Sequence, residues 1–393
     1  MSPTDNLRPR IDGWQRNALI CFVIGAIGVA VLGLRDSQQF FRSYLFAFIF
    51  WIAFPLGSMA VLMLHHLTGG RWGLPIRRIL EAGSRTVPVM GILGLPIIFG
   101  MSKLYIWTNA SIVQGDPVLL DKRWWLNTPG FIVRYVIYFA LWMLIAGLLN
   151  KWSREQDATG NPILADRMNA LSAPGVVIWG FVLTGAAVDW VMSLEPHWYS
   201  TIYGLLFIVI SALGAFSFTL FMLCRLSDDP AVRDSVAPKD YNDLGNILLA
   251  FLMLWAYLSF SQLLIIWAGN LKEEIPWYQQ RAFGGWQPIG VALVVLHFFV
   301  PWMLLLQRGV KRRLRTLSFV ALWIVVLTLL DIFWIVEPSW DRAAPRFHIT
   351  DIFALLGIGG LWVAAFAWQL KKLPLLPLHD PRFEGVLLHE HGD

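Results

Sequence analysis

The sequence predicts an all-α polytopic membrane protein with about ten transmembrane helices, and three observations carry that prediction. First, 57% of the 393 residues are hydrophobic and only 15% are charged, whereas soluble domains average about 45–50% apolar and about 25% charged. So little charge cannot cover a water-facing surface. Second, the apolar residues gather into ten runs near the length of about 20 residues that crosses a bilayer. Third, no run alternates apolar with polar residues at a period of two, so the backbone is satisfied within helices rather than in a barrel.

In chain order the runs are 17–34, 43–65, 86–107, 130–149, 172–194, 200–224, 244–268, 286–306, 317–336 and 349–369. Arg8, Arg10 and Arg16 precede the first, and no small-residue cleavage site follows it. It therefore reads as a retained span rather than a signal peptide. Residues 74–83, with Arg77, Arg78 and Glu81, read as a short interfacial helix ahead of the third run.

Orientation follows from the placement of Lys and Arg. The N-terminus, 66–85, 150–171, 225–243, 307–316 and the C-terminal tail hold 21 of them, the opposite face holds 9, and Arg134 lies inside a run. Arg308, Lys311, Arg312, Arg313 and Arg315 share one short loop. Both termini are thus expected on the cytoplasmic side. The net charge of +5 is accounted for by topology and implies no nucleic-acid partner. Cys21 and Cys224 are the only cysteines. That excludes a thiolate-held iron–sulfur cluster, a covalent c-type haem or a cysteine-built zinc site within this chain.

The fifth run ends in Asp189 followed by Glu195-Pro196-His197-Trp198, and the ninth in Asp331 followed by Glu337-Pro338-Ser339-Trp340. Both read D-x5-E-P-x-W, at an offset of 142. Trp142-Met143-Leu144 recurs as Trp302-Met303-Leu304, and Ile106-Trp107 as Ile266-Trp267, at an offset of 160. Spans 2–5 are therefore expected to repeat as spans 6–9, giving two four-helix bundles with spans 1 and 10 peripheral. The expected divisions are 1–42, 43–199, 200–342 and 343–393. Four helices per unit make this a parallel repeat, unlike the inverted repeats of many transporters.

Ionisable groups at membrane depth are expensive and usually face a protein interior. Here they are Arg134, Asp189, His297 and Asp331, with Lys103 and Asp351 nearer the edge. Asp189, Glu195, Asp331 and Glu337 are candidate stations of a proton path, with Arg134 beside them. A buried Arg134–Asp189 ion pair is the structural alternative. Glu195 and Glu337 each stand where a helix ends before a proline. The negative end of the helix dipole disfavours a carboxylate there unless it is protonated or met by a cation. The alternative is an interfacial turn with no chemistry. A quinone in an apolar slot needs polar contacts to its oxygens; Asp189, Glu195 and His197 are candidates to form such a site near the outer face, and His297 with Gln262 are further candidates. A lone histidine on an apolar helix is more often a hydrogen-bonded core residue, and His65-His66 reads as a solvated pair.

Two long segments carry a family resemblance: 180–204, which contains Asp189 through Glu195, and 260–278, which reads FSQLLIIWAGNLKEEIPWY. With His65-His66-Leu67-Thr68-Gly69-Gly70-Arg71-Trp72-Gly73 and the tail stretch 375–382, they resemble the membrane subunits of bacterial alternative complex III. The nearest likeness is to the second quinone-binding-type subunit, within the polysulfide-reductase/NrfD-like membrane family. The resemblance spans nearly the whole chain. It implies a ten-helix protein of the bacterial inner membrane with no metal-ligated or covalent cofactor of its own, and a possible quinone or quinol ligand. It further implies a complex that oxidises quinol. The expected partners are a homologous ten-helix subunit, a periplasmic iron–sulfur subunit, haem c subunits, membrane lipid and a cytochrome or terminal oxidase as acceptor. The outer loops 107–129 and 269–285 are the expected docking surfaces. An architectural anchor and an independent secondary transporter are the rival readings.

Overall fold

The computed structural model describes residues 7–228, 233 and 236–377, and within these all regular structure is helical. Ten helical spans are long and apolar enough to cross a membrane: α1 (Arg8–Arg35), α2 (Ser37–Thr68), α3 (Arg77–Phe99), α4 (Thr128–Thr159), α5 (Ile163–Leu194), α6 (Tyr203–Leu226), α7 (Pro238–Gly269), α8 (Gly284–Leu306), α9 (Leu314–Ser339) and α10 (Ile349–Leu370). The molecule is a multi-pass membrane protein by helix length and hydropathy. Of the tail segment 375–382, only Leu375, Leu376 and Pro377 lie among the described residues.

Local chemistry sets the helix ends. Asp36 caps α2 by accepting from the backbone N–H groups of Gln38 and Gln39 at 3.0 Å, and Asn127 caps α4 by accepting from Gly130 at 2.7 Å. Such caps satisfy N–H groups that have no partner inside the helix. Gly160 ends α4 in the left-handed region at φ 64°, a conformation that glycine adopts without a Cβ penalty.

α2 and α6 are the most buried spans. They cross at Gly57, where an added Cβ would lie 1.9 Å from the Ser211 carbonyl oxygen; any larger residue would have to push the two backbones apart. At the periphery α1 lies along α10. Gly25 faces the backbone of Gly357 there, and Gly360 faces Ala18 and Phe22. The opposite side of α1 exposes Ile20, Val23, Ile24 and Ile27, as a lipid-facing helix should.

Three local expectations need correction. The third run is not one continuous helix: it proceeds as Val87–Leu93, Leu95–Phe99 and Met101–Leu104; Pro96 cannot donate to the helical ladder at the first break, and the second falls at Gly100. The helix Arg77–Ser84 does not lie on the surface but is wholly buried. Glu81 there accepts from Arg77 at 2.9 Å, Arg78 at 2.7 Å and Ser153 of α4 at 2.6 Å, so its charges are compensated by neighbours rather than by water. His65 and His66 are likewise buried rather than solvated. The chain after α2 turns back over them, with Trp72 edge-on to His65 at 5.3 Å. A Cβ on Gly73 would come within 2.0 Å of the His65 ring, so only glycine lets the turn close.

Candidate functional site

Asp189 sits on α5 near its end and is 1% exposed. Arg134 of α4 grips it with two hydrogen bonds, Nε to Oδ2 at 2.8 Å and a terminal nitrogen to Oδ1 at 2.9 Å. Trp125 donates from its indole to Oδ1 at 2.9 Å, and the Tyr138 hydroxyl donates to Oδ2 at 2.8 Å. The guanidinium also lies 4.2 Å from the centre of the Trp125 ring. Four charge-assisted or neutral donors leave this carboxylate little capacity for anything else. It clamps α4 to α5.

Asp331 of α9 stands at the matching place in the D-x5-E-P-x-W segment and has a different environment. Its carboxylate accepts one hydrogen bond among the described residues, from the Trp255 indole of α7 at 2.9 Å. At the offset of 160, Arg134 corresponds to Val294 and Tyr138 to Phe298. Both of these line a cavity of about 560 Å³ into which Asp331 faces. Apolar side chains stand at these positions, and the space beside Asp331 is open.

The cavity is walled by α7, α8, α9 and the helix Ile275–Ala282. Its polar members are Ser259, Gln262, Tyr278, Arg281, Gln287 and Asp331, and the rest of the lining is apolar or aromatic. Phe260 on α7 and Val291, Val294 and Phe299 on α8 both line it and are exposed on the outer flank of the helices. The mouth therefore lies between α7 and α8, on the face turned to lipid. A mostly apolar cleft of this size with a few convergent polar groups is the usual form of a small-molecule site.

Arg281 closes one side of it. The side chain is 2% exposed and stacks on Trp277, 3.6 Å from the ring centre. It donates to the carbonyls of Ile335 at 2.7 Å and Trp334 at 3.1 Å and to Glu195 at 3.2 Å. Burial pulls its guanidinium below the usual arginine range, and Glu195 opposes that pull. Burial also pushes the Tyr278 phenol above its ordinary range, so it stays a neutral hydroxyl.

The sequence-predicted residues are thus distributed rather than gathered. Glu195 does have a cation against it, Arg281, and also accepts from Ser339 at 3.1 Å. Glu337 is 2% exposed, and its Oε1 has no hydrogen-bond partner among the described residues; its charged neighbours are Asp351, Asp341 and Arg42. His197 lies at the surface with Nε2 2.5 Å from Asp116, away from both Asp189 and Glu195. Gln262 lines the cavity. His297 is buried beside it, behind the Trp255 ring, with ring centres 4.4 Å apart. Among the described residues no group of three or more His, Cys, Asp or Glu side chains converges to hold a metal ion.

Nothing in the sequence alone marks Trp255 or Arg281 as site residues. One tryptophan among 21 carries no mark that separates a donor to a buried carboxylate from a lipid-belt residue. Arg281 sits in a loop expected only to dock partners. Comparison with protein-family models and with curated proteins finds no match to this chain.

Proposed function

We propose that this polytopic protein is a non-redox membrane subunit of a respiratory quinol:electron-acceptor oxidoreductase, in the bacterial inner membrane with both termini cytoplasmic. It would offer quinol a site in the α7–α8–α9 cavity. The observation that carries the reading is a carboxylate with spare acceptor capacity, Asp331, facing an apolar cavity that opens toward lipid. A lipid-soluble ligand with a polar head needs that combination, and a water-soluble one does not. Quinol, when bound, supplies two electrons and two protons. Gln262 and Tyr278 are the cavity groups able to hydrogen-bond its oxygens, and Asp331 is placed to take a proton. Glu337, six residues further along α9, would be the next carboxylate toward the helix end. Electrons would leave to partner subunits carrying iron–sulfur clusters and haem c, beside a homologous ten-helix subunit and a cytochrome or terminal oxidase as acceptor.

One observation favours an architectural role for the first half of the chain. Asp189 is saturated by Arg134, Trp125 and Tyr138, which suits a helix clamp better than a proton station. The test is purification through a tag in mild detergent, followed by mass spectrometry and an optical spectrum. Co-purified haem c, an iron–sulfur subunit and a second ten-helix subunit support the reading. A colourless single polypeptide that survives intact would remove it and leave the independent transporter to be tested.

A further inference from the structure

His297 has no visible reason to be where it is. It is 1% exposed, and neither ring nitrogen has a hydrogen-bond partner among the described residues. A neutral imidazole carries one donor and one acceptor, and leaving buried polar atoms unpaired is costly enough that each case calls for an explanation. Its backbone is unusual as well. Residues Leu293–Phe299 of α8 form a π-helical segment, a departure from α-helix that is rare and recurs at functional sites. This segment holds the imidazole against the Trp255 ring at 4.4 Å between centres. The same indole donates from its N–H to Asp331 at 2.9 Å. Trp255 lines the cavity, and His297 does not.

The indole is therefore a partition with a carboxylate on one side and an orphaned imidazole on the other. The ring is packed in the core at 5% exposure, and its one polar anchor among the described residues is the hydrogen bond to Asp331. Among the described residues, Tyr203 of α6 interacts with that carboxylate, and Tyr278 and Arg281 line the same cavity. The hydrogen bonds of Arg281 go to Glu195 and to backbone carbonyls.

We infer that Trp255 is a cover keyed to the charge of Asp331: the ionised carboxylate holds the indole over His297, and neutralising it frees the ring to swing and opens His297 to the cavity. His297 then becomes a second polar group of the site, available only after Asp331 has taken a proton. Trp255 acts through its neighbours and is a positioning residue. The inference rests on the reading of the cavity as a ligand site, but its test needs neither quinol nor partner subunits.

Diethyl pyrocarbonate modifies accessible neutral imidazoles, and peptide mass spectrometry locates the adduct. His197 and His348, with side chains 53% and 36% exposed, are internal standards in the full chain. The native protein should show labelled standards and an almost unlabelled His297. In Asp331→Asn, which keeps the shape and removes the charge, His297 should label about fivefold faster, the difference between a hydrogen bond to a charged acceptor and one to a neutral acceptor. Trp255→Phe, which removes the N–H, should do the same with the standards unchanged. A His297 that labels in the native chain as fast as His197, or one that stays protected in Asp331→Asn, overturns the cover. A cover that opens in these variants, in a chain whose complex oxidises no quinol, would keep the device and remove the role assigned to the cavity.

Discussion

Two aspartates stand at corresponding points of a repeated segment and have met opposite fates. Asp189 is closed in by an arginine, a tryptophan and a tyrosine, whereas Asp331 keeps one tryptophan and opens on a cavity. The difference comes down to two side chains on the neighbouring span, Arg134 and Tyr138 in the first half against Val294 and Phe298 in the second. With the arginine and the tyrosine, the buried carboxylate is saturated; without them, it keeps free lone pairs. The motif alone does not distinguish the two uses; the helix packed against it does.

The comparison can be broken most forcefully at the clamp. Arg134→Leu leaves Asp189 buried without its countercharge and should cost about 3–5 kcal/mol, read as a large fall in thermal stability in detergent. A loss below about 1 kcal/mol would show that the pair is not what holds α4 to α5. Asp331→Asn should cost only about 1 kcal/mol, since it weakens one hydrogen bond. Its larger effect should be on quinol oxidation by the assembled complex, lowered by about a hundredfold, the scale of a lost proton-transfer group. Normal turnover with normal assembly would assign Asp331 to structure as well.

Val294→Arg rebuilds the first-half clamp in the second half. It should reach into the cavity and pair with Asp331, leaving stability within about 1 kcal/mol of the native value because a buried pair roughly balances its desolvation. Binding of a quinone analogue should be lost; retained binding would place the ligand elsewhere. The smallest effect is expected at the surface. The hydrogen bond from His197 holds the Asp116 carboxyl below the usual carboxylate range. Its contribution is therefore present above that range and is lost as pH falls through the lowered value. Asp116→Asn should speed amide hydrogen exchange in residues 110–121 at neutral pH and nowhere else. Unchanged exchange there would show that the contact does not fasten the loop.

Much of the fold is legible in the sequence, because a bilayer imposes one strong requirement: long apolar helices with internally satisfied backbone. All ten spans can be read in this way, but several helices run well past the apolar stretch, as at the start of α1, the start of α5 and the end of α4. What escapes is the behaviour of polar groups near the helix ends. Arg77, Arg78, Glu81, His65 and His66 read as solvated or interfacial from composition. His65 and His66 are buried because the returning chain covers them, and Arg77, Arg78 and Glu81 because that chain packs against α4, tertiary facts with no local signature. The candidate site is legible in half. Asp331 and Gln262 stand out as polar residues in apolar runs, whereas Trp255 and Arg281 acquire their meaning only from what the fold sets opposite them. The grouping of His197 with Asp189 and Glu195 is suggested by adjacency in the chain. In the structure each has a different partner, because the chain leaves the helix at Val191 and the three side chains diverge.

The most direct test of the second half as the ligand site is photoaffinity labelling of the purified assembly with an azidoquinone, followed by peptide mapping. Adducts should fall on α7 between Trp255 and Leu263 and on α8 between Gly290 and Phe299, and should disappear in Val294→Arg. Adducts confined to α4 and α5, or adducts on α7 and α8 that persist in Val294→Arg, would contradict the assignment of the cavity beside Asp331.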